Sequence, residues 1–250
     1  MQRFRSIPTM LAAGLVMCLM CQPVRAGDLS DPEFRQTVAD RFPGVAATDI
    51  SETPLPGMWQ ISQSGVVGYI SADGRYLFDG DMIDLEKEVN LAEAERRNWR
   101  LEKIGAVAEQ DMILYEPART RDTITVFTDV ACRHCRRLHE GMDRLLEAGI
   151  RVRYLFYPLS GPDSSAFRRA QSVWCAADRK QALTRAFRGE RIEADASCDN
   201  PVADQYRLAA QTMNLRGTPT IVTGDGRVLS PGLPVAAIIR EATGQQSANR

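Results

Sequence analysis

Histidine is nearly absent from this chain. Its 250 residues include two, His134 and His139, and both stand beside the same cysteine pair. Past residue 26 there is a single Cys-x-x-Cys. Structural zinc sites need more Cys and His ligands than this, so the spacing argues against a metal centre. Long apolar runs are lacking too. The apolar stretch 11–20 is far short of the roughly 20 residues of a membrane-spanning helix, and nothing later in the chain approaches that length. Neither charge dominates, with 31 Lys and Arg against 32 Asp and Glu. That balance offers no basic surface for a nucleic acid. There is no internal repeat.

What is present begins with an export signal. Arg3 and Arg5 precede the apolar stretch 11–20, and Val24-Arg25-Ala26 follows it. The order of positive, apolar and small residues predicts a secretory signal over 1–26, cleaved after Ala26. The predicted signal carries three arginines and no acid, so its removal moves the formal charge from −1 to −4. Cys18 and Cys21 leave with it. The remaining cysteines are Cys132, Cys135, Cys175 and Cys198. Four cysteines in an exported chain imply disulfide chemistry. They allow three pairings. Cys132 with Cys135 and Cys175 with Cys198 is the economical one.

The chain changes character near residue 85. Before it, 58–62, 66–71 and 76–79 alternate like strands, with turns at Ser64-Gly65 and at 72–75. A short helix is expected over 32–42, ended by Pro43-Gly44. This predicts a small α+β unit over 27–85, marginal as a lone core and with strand edges on which a second copy could pair. Residues 86–109 carry a helical stripe of Leu91, Ala94, Leu101 and Ile104, capped by Asn90, which fits either a packed amphipathic helix or one that connects two domains. From 110 to 250 the pattern becomes βαβ-like. Strands are expected over 113–115, 123–128, 150–157, 220–223 and 227–229. Helices are expected over 136–148, 164–188 and 201–214, with a last one from about Pro234.

The informative motif is Cys132-Arg133-His134-Cys135, set between a strand and a helix. The free N–H groups and partial positive charge of a helix start favour an anion. A thiolate is such an anion, and it is the form that attacks disulfides. Cys132 is therefore the candidate nucleophile and Cys135 the candidate resolving thiol. A disulfide closing so small a loop would stabilise the fold little, which favours a chemical role. His134 and Arg133 are candidates for stabilising the Cys132 thiolate, with Arg136 and Arg137 adding positive potential. His139, one turn on, is expected to pack or cap.

The order of elements is similar to a thioredoxin-fold domain, and particular residues narrow it further. Val126-Phe127-Thr128-Asp129, Leu138-His139-Glu140, Trp174-Cys175-Ala176, Ser197-Cys198-Asp199 and Gly217-Thr218-Pro219 resemble the DsbC/DsbG family of periplasmic thiol:disulfide interchange proteins. The likeness covers essentially all of 27–250. It implies a cystatin-like N-terminal dimerisation domain, a linker helix, and an α/β thioredoxin-fold catalytic domain with a helical insertion. It implies a Cys175–Cys198 structural disulfide, worth about 3 kcal/mol by loop closure. It implies a cis bond between Thr218 and Pro219, turning the Thr218 backbone toward an extended substrate. The implied activity is isomerisation or reduction of incorrect disulfides in exported proteins. The implied setting is a periplasmic homodimer with no bound cofactor, kept reduced by a DsbD-like membrane protein. Two features depart from the family or its fold relatives. The family pattern has Gly-Tyr between the cysteines, where this chain has Arg133-His134. Val126 stands where thioredoxin has a buried acid. The first departure predicts a more oxidising dithiol, which keeps net oxidase activity as an alternative. Sulfenic-acid reduction and a holdase chaperone role are the others.

Overall fold

A computed structural model describes residues 32–194 and 197–244. The expected signal and its cleavage point at Ala26 lie outside the described residues, as does the tail from 245.

The N-terminal unit opens with α1 (Pro32–Arg41), followed by β1 (Ile50–Glu52), β2 (Met58–Gln63), β3 (Val66–Ser71) and β4 (Leu77–Asp79). The strands form one antiparallel sheet in the order β1-β2-β3-β4. Ser64 and Gly65 both take positive φ, +51° and +77°. That is the requirement of a two-residue hairpin whose twist matches its strands. Alternation in β2 and β3 sends Trp59, Ile61 and Ile70 inward, where they meet Val38, Ala39 and Ile50. β4 is different, because all three of its residues are exposed. A minor pair, β5 (Ile83–Asp84) and β6 (Val89–Asn90), leads into α2 (Leu91–Gly105). The sequence did not announce β1, β5 or β6, which are too short to show a period.

Helix α2 starts where Asn90 accepts a hydrogen bond from the Glu93 N–H at 2.9 Å. Fifteen residues span about 22 Å. At its start Ala92 packs with Val67 and Tyr69 of β3. Near its end Ile104 enters a different core with Phe127, Leu155 and Val222. The two fully buried residues of α2 thus serve different units. Along its length Arg100 donates to the Gly226 carbonyl at 2.7 Å and pairs with Glu93 at 2.9 Å.

The second unit is built on β7 (Ile113–Tyr115), β8 (Asp122–Thr128), β9 (Ile150–Phe156) and β10 (Thr220–Thr223), in the order β10-β8-β9-β7. β8 and β9 run parallel; β7 and β10 are antiparallel to their neighbours. Residues 124–128 of β8 are all buried, as expected of a central strand covered on both faces. Between β8 and β9 lie α3 (Arg133–Glu140) and α4 (Met142–Glu147); α5 (Ser165–Cys175), α6 (Arg179–Phe187) and α7 (Val202–Arg207) form the insertion, and α8 (Val235–Ala242) closes the chain.

The helices differ from expectation in instructive ways. The helix expected over 136–148 begins three residues earlier and breaks at Gly141. A side chain at Gly141 would collide with Val235 of α8, so the break lets α8 approach. The helix expected over 164–188 is two helices, the second capped by Asp178 on the Gln181 N–H. The helix expected from 201 has Pro201 as its cap and widens to a π turn at Leu208–Thr212. Residues 227–229 form an isolated bridge, Val222 to Val228, and not a strand. Gln205 was not singled out by sequence, yet it is buried and accepts from the Phe156 N–H at 2.7 Å, tying α7 to the end of β9.

Candidate active site

Residues 129–132 turn sharply from β8 into α3. Asp129 builds that turn. One side-chain oxygen accepts from Ala131 N–H at 2.8 Å, the other from Leu159 N–H at 3.0 Å, and its carbonyl accepts from Cys132 N–H at 3.0 Å. Cys132 is the N-cap residue, with φ −84° and ψ 120° and no side-chain capping bond. Its sulfur therefore sits at a helix start whose N–H groups lack partners within the helix.

The two cysteines are free thiols in unlike surroundings. Cys132 is half-buried, and its Sγ donates to the Thr218 carbonyl oxygen at 3.2 Å. Cys135 is 0 % exposed. Burial pushes its thiol up to about 12, and the charge of Cys132 adds to that, while hydrogen bonding from the neighbouring turn and threonines pulls the other way. Cys135 thus stays protonated at neutral pH. The peptide bond between Thr218 and Pro219 is cis. The contact between Cys132 and Thr218 spans 86 positions of sequence and is made because β10 lies beside β8.

The tuning candidates lie on the solvent side. Arg133 and His134 are exposed, and Arg133 Nε donates to His134 Nε2 at 3.2 Å. Among the described residues neither hydrogen-bonds Cys132, and Arg136 and Arg137 make no ion pair. Cys175, at the end of α5, is bonded to Cys198 across 23 positions with Cα atoms 5.8 Å apart. No group of three or more His, Cys, Asp or Glu with metal-site geometry occurs among the described residues.

Comparison with known proteins decides the family. Residues 25–93 match the disulfide bond isomerase protein N-terminal domain, and residues 108–246 match a thioredoxin-like domain. The thiol:disulfide interchange protein DsbC of Escherichia coli K12 is 36% identical over 202 residues, covering 81% of this chain and 82% of that protein. The chain belongs to the DsbC family. DsbC of Salmonella typhimurium LT2 is likewise 36% identical, over 204 residues with the same coverage. The crystal structure of a disulfide interchange protein from Neisseria gonorrhoeae is similar at 29% identity, covering 55% of this chain and 99% of that one, with a TM-score of 0.47.

Within this family member His139 is a packing residue. It lies among Tyr115, Tyr154 and Phe187, with Nε2 2.9 Å from Thr184 Oγ1 and Nδ1 3.3 Å from the Tyr154 hydroxyl. Burial lowers its pKa to about 4. Between pH 6.5 and 4 the unfolded chain binds a proton there that the folded chain refuses. The stabilisation from neutral His139 is therefore complete above about pH 6.5 and is lost as the pH falls toward 4, by about 2–3 kcal/mol. Urea unfolding at pH 7 and pH 4.5 checks this. The wild type should lose more stability between the two than His139→Leu does; equal losses would contradict it.

Proposed function

We propose that this protein is a thiol–disulfide exchange enzyme that rearranges incorrect disulfides in exported proteins. The observation that carries the proposal is the unequal pair: an accessible sulfur at a helix start, set against the Thr218 carbonyl, with a sealed, protonated thiol one turn behind it. The Cys132 thiolate attacks a substrate disulfide, joins one substrate sulfur and releases the other as a thiolate. The substrate then rearranges, or Cys135 attacks Cys132 and frees it. The backbone around Thr218 and Pro219 lies next to the nucleophile, where an extended substrate can pair with it in strand fashion. Electrons move by thiol exchange alone, so the cycle needs no bound cofactor.

The working form is a homodimer joined through the N-terminal sheet. Among the described residues β4 pairs only with β3, and its exposed Leu77 and Phe78 line one cavity with Val66. An apolar edge strand of this kind is a pairing surface. The site is the periplasm, reached by cleavage after Ala26, where a DsbD-like membrane protein would return the dithiol to its reduced state. Scrambled ribonuclease tests the activity. The wild type should restore ribonuclease activity and Cys132→Ser should not; equal restoration by both would end the proposal.

One observation favours a second reading. The exposed arginines 133, 136 and 137 crowd positive charge onto the helix that carries the dithiol, the kind of setting in which a Cys-x-x-Cys serves as an oxidant. A net oxidase would show an oxidised Cys132–Cys135 pair in the periplasm, an isomerase a reduced one.

A further inference from the structure

The exchange cycle asks something difficult of Cys135. Its sulfur must give up a proton and attack Cys132 from a site closed to solvent, where burial holds the thiol protonated. Among the described residues no carboxylate acts on that sulfur. Asp129 has both side-chain oxygens on backbone N–H groups, and Val126 of β8 is apolar and buried. The other titratable groups at the sulfur are Cys132 and Tyr154. The Tyr154 phenol is itself kept protonated by burial. The arginines of α3 are exposed.

Two hydroxyls remain. Thr128, the last residue of β8, and Thr218 both act on the Cys135 thiol, drawing its pKa down against the effect of burial. Both oxygens are buried, and neither makes a well-formed hydrogen bond in the dithiol. A buried hydroxyl without a partner costs stability that a methyl group of the same size would not. An idle polar group beside a reacting atom points to a state in which it is used.

We propose that Thr128 is a catalytic residue of the second half of exchange, donating its hydroxyl hydrogen to the Cys135 sulfur as that sulfur becomes a thiolate. The proposal rests on Cys135 being the resolving thiol. In the step, Cys135 loses its proton and its sulfur bonds to Cys132. The bond between Cys132 and the substrate sulfur breaks, and the departing substrate thiolate ends with the proton. The two cysteines are oxidised to a disulfide while the substrate sulfur is reduced. Thr218, whose backbone already meets Cys132, supplies a second hydroxyl to the same sulfur.

The test uses the reduced full chain and one equivalent of an aromatic disulfide that releases a coloured thiolate. Attack by Cys132 gives a first phase of colour, and attack by Cys135 on the resulting mixed disulfide gives a second. In Thr128→Val the ratio of second-phase to first-phase rate should fall about tenfold, the loss expected for one hydrogen bond to a charged atom. The pH profile of the second phase should move up by about one unit, since the thiolate has lost a donor. Thr128→Ser should restore both. Thermal unfolding of Thr128→Val should be unchanged or higher, because the hydroxyl had no good partner. An unchanged ratio overturns the proposal. So does an equal loss in the valine and serine variants with no movement of the pH profile, which would mean packing alone. Absence of a second phase in the wild type would instead remove the resolving role of Cys135, and the proposal with it.

Discussion

Replacing Cys135 by serine is expected to turn the protein into a trap. Cys132 keeps its position at the start of α3 and still attacks, but the sulfur that frees it is gone. The mixed disulfide then waits for a thiol from solution. An attacking group held one helical turn away acts at an effective concentration far above that of millimolar free thiol, so the adduct should last at least about a thousandfold longer. Non-reducing electrophoresis after mixing with scrambled ribonuclease should show a covalent adduct with Cys135→Ser that dithiothreitol dissolves. Little should accumulate with the wild type and none with Cys132→Ser. An adduct of equal yield on Cys132→Ser would mean that Cys135 is the nucleophile, against its 0 % exposure and raised pKa.

The second large effect belongs to the N-terminal sheet. Phe78 sits in the middle of β4, opposite Tyr69 of β3, and is about half exposed. A cavity of about 280 Å³ beside it is walled by Val66, Leu77 and Val67. In a symmetric dimer each substitution is felt twice. Placing a charge at an apolar anchor costs about 2–4 kcal/mol, so Phe78→Asp should raise the dimer dissociation constant by at least about a hundredfold. Analytical ultracentrifugation of wild type and variant at low micromolar concentration checks this. A dimeric variant, or a monomeric wild type, would place the pairing surface elsewhere or deny it. Isomerase activity should fall with the dimer, whereas single-turnover attack by Cys132 should not.

The sequence made the dithiol and its setting plain. A Cys-x-x-Cys between an alternating strand and a helical run has few meanings, and Ser64-Gly65 and Asn90 mark their turn and cap through local chemistry that operates within four residues. What stayed hidden depended on distant partners. Gly141 breaks its helix because Val235, 94 positions on, leans against it. Gln205 is buried where its side chain accepts from the Phe156 N–H, 49 positions away in the chain. Thr128 looked like one more β-branched strand residue. Only the fold brings its hydroxyl to bear on Cys135, and no periodicity reports which polar strand residue acts on a sulfur. His139 was expected to pack, but the Thr184 hydroxyl that holds it comes from a helix 45 positions away.

Exchange depends on a division of labour between two sulfurs three positions apart in the chain. Limited alkylation of the fully reduced protein with iodoacetamide at neutral pH, followed by peptide mapping, measures it directly. The label should appear first on Cys132, and exchange activity should vanish in step with it, while Cys135 stays unmodified until the protein is unfolded. Labelling of Cys135 ahead of Cys132, or full activity with Cys132 blocked, would contradict the account.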